Sequence, residues 1–386
     1  MKVITNTNVI LENGILFDGI VAFENGRILS VCKRSEFIVP NDAEVIDAGG
    51  LFTAPGLIDI HNHGSENNFF IDNPTECCNH FLKHGQTTVL PTFYQTYSAE
   101  EMISGAKMLK DFSKSGNGRI IKGLYMEGPY MQAAGSNQDL FKWNGDIELS
   151  KYKELVDSIA SYVKVWAIDP ARKNITEFMN YVNSVEKNSV FAFGHSQATA
   201  TDCEKVVDLG VKVQTHHGDS GNAPKINQVR YGAGCDEYTL CNPDLFAEII
   251  CDETGVHLAP YTINSAIKAK GVEKIILITD SYPKTGDYKN NQEKGVLWGA
   301  DLNYDNNGML AGSHLTLDNA CRNVMAHTAY GICHAVRFAS INPAKLIGID
   351  KDYGSIKQGK VADLILIDNA VRVKKVFLQG ELVVEN

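Results

Sequence analysis

Apolar and polar positions fall into two regimes along the chain. Within residues 1–54, short β-branched runs (Val9-Ile10-Leu11, Ile15-Leu16-Phe17, Ile20-Val21-Ala22-Phe23) are separated by Asn13-Gly14 and Asn25-Gly26. Those dipeptides suit the left-handed turns of two-residue hairpins. Residues 341–386 repeat the pattern in Ala362 to Ile367, Val373 to Leu378 and Leu382-Val383-Val384. Strand-only segments this short need partners. Both ends are therefore expected to build one small β-sandwich domain, flanking a middle, 55–340, of another kind.

In that middle, apolar strand-like runs alternate with helix-permissive polar stretches. Strands are expected at Leu57 to His61, Thr87 to Leu90, Ile120 to Met126, Val163 to Ile168, Val190 to Phe193, Val211 to Thr215, Gly255 to Leu258 and Lys274 to Thr279. Helices are expected at Ala99 to Lys114, Ile175 to Lys187 and Thr201 to Leu209. Eight such units predict an α/β fold, a (β/α)₈ TIM-like barrel. A doubly wound open sheet is the alternative, weakened by the lack of a G-x-G-x-x-G after the first strand.

Composition narrows the function. The 386 residues fit a barrel of ~250 plus an appended module. A net charge of −10 argues against nucleic acid as a partner, because phosphate backbones call for a basic stripe. No run approaches the ~18 apolar residues of a membrane span, and Met1-Lys2-Val3-Ile4-Thr5 lacks a signal-peptide pattern. The nine cysteines show no repeated spacing and suit a reducing cytoplasm.

The candidate chemistry lies at the strand ends. His61 and His63 follow the first strand, Glu127 the third, His195 the fifth, His216 the sixth and Asp280 the eighth, with His257 at the seventh. In a barrel these carboxyl ends converge on the catalytic face. His61-Asn62-His63 puts two imidazoles on one side of an extended strand, a chelating pair. Each residue alone has a structural reading, as a turn, a cap or a loop histidine. Together they predict a metal site. Imidazole and carboxylate ligands without thiolate suit zinc or iron first, then manganese or cobalt. His80, His84, His314, His327 and His334 fall in helical or loop contexts and are read as structural.

Several motifs carry a resemblance. Pro55-Gly56-Leu57-Ile58-Asp59-Ile60-His61-Asn62-His63-Gly64 resembles the opening motif of the amidohydrolase superfamily, and Asn342 to Lys345 with Gly354 to Leu364 its return into the small sheet. Met126-Glu127-Gly128-Pro129-Tyr130, Gly194-His195-Ser196, Thr215-His216, Gly255-Val256-His257, Thr279-Asp280 and Ala311-Gly312-Ser313 together resemble the N-acetylglucosamine-6-phosphate deacetylase family. The match is collinear over essentially the whole chain.

This resemblance implies removal of the acetyl group from an N-acetylated amino-sugar phosphate, with one or two divalent metals per subunit. It implies that Glu127, His195 and His216 hold the main metal, that His61 and His63, sharing Glu127, hold a second, and that Asp280 lies near both. Asp280 would take the proton of the attacking water and return it to the amine. Asn222 and Ala223 would contact the sugar through backbone, and His257 would bind ligand. Arg230 would grip the phosphate from the neighbouring subunit of a homodimer.

Three segments depart from the family pattern. The loop after Pro129 is short and reads Ala134-Gly135-Ser136-Asn137, putting Asn137 in place of a substrate-binding histidine. The segment from His217 to Pro224 is long and lacks the family's methionine, and Asp169-Pro170-Ala171-Arg172-Lys173 replaces A-P-E. A divergent subgroup is implied, with N-acetylgalactosamine-6-phosphate or another N-acylated amine as alternative substrate. Relatives that bridge two metals through a carboxylated lysine would have only Lys173 near the fourth strand's end, and Glu127 makes it unnecessary. A sugar-phosphate-binding protein on a dead scaffold is the reading from another class, opposed by the intact ligand set.

Overall fold

The computed structural model describes residues 1–132, 140–219, 232–284 and 299–386, together with the backbone of 225–226 and 229–230. Eight strands run parallel in chain order: Leu57–Asn62, Gln86–Tyr94, Leu124–Glu127, Val163–Ile168, Val190–Phe193, Val211–Gln214, Phe246–Ile250 and Ile275–Ile278. The first and eighth meet where Asn62 pairs with Ser281, and the Asp280 N–H donates to the His61 carbonyl at 2.9 Å. This closes the (β/α)₈ barrel. Asp59 reinforces the seam. Its carboxylate accepts from Thr279 Oγ1 at 2.6 Å and Gln86 Nε2 at 3.0 Å, joining strands one, two and eight. Burial pushes this carboxyl up to about 7.

The outer helices follow from amphipathic spacing. Ala99–Phe112 starts in a capping box, with Ser98 and Glu101 bonding each other's backbone. It buries Met102, Gly105, Ala106 and Leu109, one stripe at helical period. Both chain ends build one eight-stranded mixed sheet beside the barrel. Strand Phe52–Pro55 lies between Lys2–Leu11 and Leu364–Ile367 and stitches the two ends together. Ile4, Val9, Val21, Phe23, Leu364, Leu366 and Phe377 form its own apolar core.

Two strand expectations are corrected. The third begins at Leu124, because Gly116–Ile120 forms a 3₁₀ turn and Gly123 takes φ +148. The seventh is Phe246–Ile250, and Gly255 to Leu258 lies in the loop behind it. Gly255 has φ +70, outside the β region. The Asp252 carboxylate accepts the backbone N–H groups of Thr254, Val256 and His257, which closes a tight turn instead of a ladder.

Candidate metal centre

The barrel delivers the site residues with a common geometry. His61 lies near the end of strand one and His63 just past it, with Glu127 the last residue of strand three. His195, His216 and Asp280 each stand two residues beyond strands five, six and eight. His216 and Asp280 have φ of +26° and +48°, a region that side-chain-bearing residues adopt at a cost of ~1–3 kcal/mol, mostly at functional sites. Each turns the chain out of its strand while its side chain stays over the barrel mouth.

Glu127 is the hub. One of its oxygens lies 3.0 Å from His195 Nε2 and 3.3 Å from His216 Nε2, the other 3.2 Å from His63 Nε2 and 3.7 Å from His61 Nε2. Asp280 Oδ1 lies 3.2 Å from His63 Nε2 and 3.6 Å from His61 Nε2. The structure thus brings together all six residues expected at the site. They contain two triads, His61–His63–Glu127 and Glu127–His195–His216, whose donor atoms lie within 4.8 Å of one another.

Burial raises the Glu127 carboxyl, yet the imidazoles of His195, His216, His61 and His63 around it outweigh burial and hold the group well below the usual range. Burial likewise opposes charge on His216, and Glu127 overcomes it, lifting the imidazole to about 9. His61 rises well above its ordinary value against burial, through Asp280, Glu127 and Glu248. Two buried carboxylates facing four imidazoles call for positive charge between them. His61 Nε2, fully buried and aimed into the cluster, has no hydrogen-bond partner among the described residues. Four imidazole nitrogens, shared carboxylate oxygens and this orphaned donor atom fit a divalent cation of zinc or iron type.

Around the cluster, Tyr282 packs edge-on against His63 with ring centroids 5.0 Å apart, and Tyr94 lies 5.9 Å from the same ring. Phe141 stands against Tyr94 at 5.2 Å. His257 is buried. Its Nδ1 lies 3.4 Å from Asp219 Oδ2, while its Nε2 has no hydrogen-bond partner among the described residues. Lys173 is exposed, outside the cluster. His84 pairs with Asp318, and His327 Nε2 lies 3.0 Å from the Asp252 carbonyl; neither belongs to the triads. Asn137, Asn222 and Ala223 lie outside the described residues. Arg230 ends a two-residue strand, Val229–Arg230, paired with Lys225–Ile226.

Sequence reasoning missed Glu248. This carboxylate, in the middle of strand seven, is fully buried and lies 3.2 Å from His61 Nδ1. Its signal was present: a single charge inside the apolar run Phe246-Ala247-Glu248-Ile249-Ile250.

Comparison with known proteins agrees with this geometry. A sequence model of the amidohydrolase family matches residues 52–383. The N-acetylgalactosamine-6-phosphate deacetylase of Escherichia coli O157:H7 is 26% identical over 97% of this chain and 97% of that protein. The N-acetylglucosamine-6-phosphate deacetylase of Vibrio furnissii is 26% identical over 93% of this chain and 89% of that one. The crystal structure of N-acetylglucosamine-6-phosphate deacetylase from Pasteurella multocida aligns with a TM-score of 0.84 at 22% identity, covering 100% of each chain, so the two share a fold.

Proposed function

The chain belongs to the amidohydrolase family, and from that premise we propose that it is a metal-dependent deacetylase of N-acetylated amino-sugar phosphates. It converts N-acetylglucosamine-6-phosphate and water to glucosamine-6-phosphate and acetate. The observation that carries this reading is the pair of triads sharing the buried Glu127 at the barrel's carboxyl end.

Glu127, His195 and His216 would hold one divalent cation, zinc or iron first, and His61, His63 and Glu127 would hold a second. A cation there supplies Lewis acidity toward the amide carbonyl and lowers the pKa of water toward ~7. Asp280 accepts the proton of the water whose oxygen bonds to the carbonyl carbon. It returns that proton to the nitrogen as the C–N bond breaks, leaving a free amine and acetate. His257, steadied by Asp219 at Nδ1, presents Nε2 to the substrate. Tyr94 and Tyr282 flank the ligating imidazoles, and such rings help keep bulk water from the reacting centre.

Asn137, Asn222 and Ala223 remain candidate substrate contacts, and Arg230 the phosphate ligand across a homodimer. Its planar fork suits that anion in an otherwise acidic protein. Among the described residues no helix is long and apolar enough to cross a membrane, and all nine cysteines are free thiols. The cytoplasm is the compartment we assign.

The likeness to the E. coli protein favours N-acetylgalactosamine-6-phosphate as the second reading. Acetate release measured across N-acetylated amino sugars, with and without the 6-phosphate, tests both. Arg230→Ala should raise KM for the phosphorylated compounds far more than for their unphosphorylated analogues. Equal effects would remove phosphate recognition from Arg230. No acetate release from any member of the panel would refute the deacetylase reading.

A further inference from the structure

Glu248 has no place in the chemistry above, yet its position is unusual. It projects from the seventh strand into the closed barrel with no exposed surface. A carboxylate there is costly unless its partners demand it, and the neighbours Phe246, Ala247, Ile249 and Ile250 are all buried apolar residues. One oxygen, Oε2, does two things. It lies 3.2 Å from His61 Nδ1, and it accepts the backbone N–H of His216 at 3.3 Å. The other, Oε1, has no hydrogen-bond partner among the described residues. The Tyr125 ring stacks on His61, centroids 4.5 Å apart and planes 26° apart, so His61 is held at its face as well as its edge.

We propose that Glu248 is a positioning residue for the metal centre, one carboxylate that registers a ligand of each triad. Ligation through His61 Nε2 requires the lone pair at that nitrogen, so the ring proton must sit on Nδ1, and Glu248 is the acceptor that keeps it there. The same oxygen fixes His216, whose backbone has the positive φ noted above, through its N–H. Charge points the same way. Glu127 and Asp280 together balance one dication, and a third buried carboxylate offsets half the charge of a second. The assignment rests on the metal-site reading above.

Zinc affinity of the full chain, by chelator competition, tests it with two variants. Glu248→Ala removes the acceptor from both N–H groups and should weaken zinc binding by ~10–100-fold, the usual scale for an outer partner of a metal ligand. Glu248→Gln keeps an acceptor oxygen within reach of both and should recover most of that loss. Metal-free Glu248→Gln should melt at or above wild type, because it keeps the acceptor and the side-chain volume while removing a buried charge. A merely structural role would lower metal-free melting and zinc affinity together, with no rescue by glutamine, and would overturn the proposal. Zinc binding by Glu248→Ala equal to wild type overturns it alone. Wild-type protein that takes up no zinc overturns the metal-centre reading and this proposal with it.

Discussion

Gly312→Ala should disable turnover from behind the catalytic carboxylate. Gly312 lies in the strand Leu310–Ser313 with φ +58, and this strand grips the Asp280 segment. The Ser313 N–H donates to the Asp280 carbonyl at 2.8 Å, and the Tyr282 N–H to the Ser313 carbonyl at 2.8 Å. A Cβ at position 312 would stand 2.6 Å from the Asp280 carbonyl oxygen and 2.7 Å from Tyr282 Cβ, whereas real Cβ contacts stay beyond 3.0 Å. One side must yield by about 0.4 Å, the difference between 3.0 and 2.6 Å. The left-handed φ costs an alanine ~1–2 kcal/mol, and the forced contact adds about as much. Stability should fall by ~2–4 kcal/mol in all. A misplacement of ~1 Å at a reacting group costs ~10²-fold, so a shift of about 0.4 Å predicts a loss in kcat on the order of 5–10-fold. Gly271→Ala is the control. It shares a positive φ of +73, with ψ 166, but has nothing within 4 Å of the new Cβ, so it should lose ~1–3 kcal/mol from backbone strain alone and no kcat. Acetate release and thermal melting read the two quantities. If Gly312→Ala turns over within twofold of wild type, the close approach does not position Asp280, and the reasoning fails.

Asp280→Asn should keep fold and metal but lose ~10²–10⁴-fold in kcat, since an amide cannot carry the proton; near-normal turnover would move the base elsewhere. Metal analysis should show His216→Ala and His195→Ala losing the main ion, and His61→Ala losing one equivalent of two. Full metal in either of the first pair would dismiss that triad. Asp363 gives a pH test away from the site. Burial pushes its carboxyl up to about 6, against an unfolded value of ~3.9. The folded state therefore binds this proton more tightly, and the stability it contributes is full below about pH 4 and lost as pH rises through about 6. Asp363→Asn keeps the acceptor for the Gln379 N–H and should be the more stable form above pH 6, by up to ~2–3 kcal/mol. Denaturant unfolding at pH 4.5 and 7.5 measures it, and a wild-type slope in the variant would contradict the assignment.

The convergence of the strand-end residues was legible for a geometric reason. Period-two alternation put His61 and His63 on one side, and parallel strands in a barrel turn a position past a strand's end into a position over the mouth. His195, His216 and Asp280 needed only their strands' ends: the fifth and eighth strands are uninterrupted apolar runs, and the sixth, Val211–Gln214, keeps valine at alternate positions. The seventh strand failed for the same reason in reverse. Glu248 interrupts its run, and an apolar pattern reader passes over it to Gly255-Val256-His257-Leu258. Only the tertiary structure shows that the charge points inward because two N–H groups wait for it. The residue that breaks the local pattern is the one that holds the ligands, as expected where function overrides local preference.

The departing segments illustrate a second limit. From sequence, His217 to Pro224 is a lengthened loop with nothing to say what its extra residues do. Asp219 within it is about one-third exposed, and its carboxylate reaches 3.4 Å to His257 Nδ1. His257 belongs to the loop after strand seven, so the contact joins two loops that emerge from neighbouring strands. An acceptor on Nδ1 favours the proton there and leaves Nε2 as the acceptor, buried and without a partner among the described residues. The Asp219 carboxylate therefore favours the proton on one nitrogen of His257, and with it decides whether Nε2 offers a lone pair or a proton. Composition and spacing carry no trace of such a choice, because it depends on a distance between residues 38 positions apart.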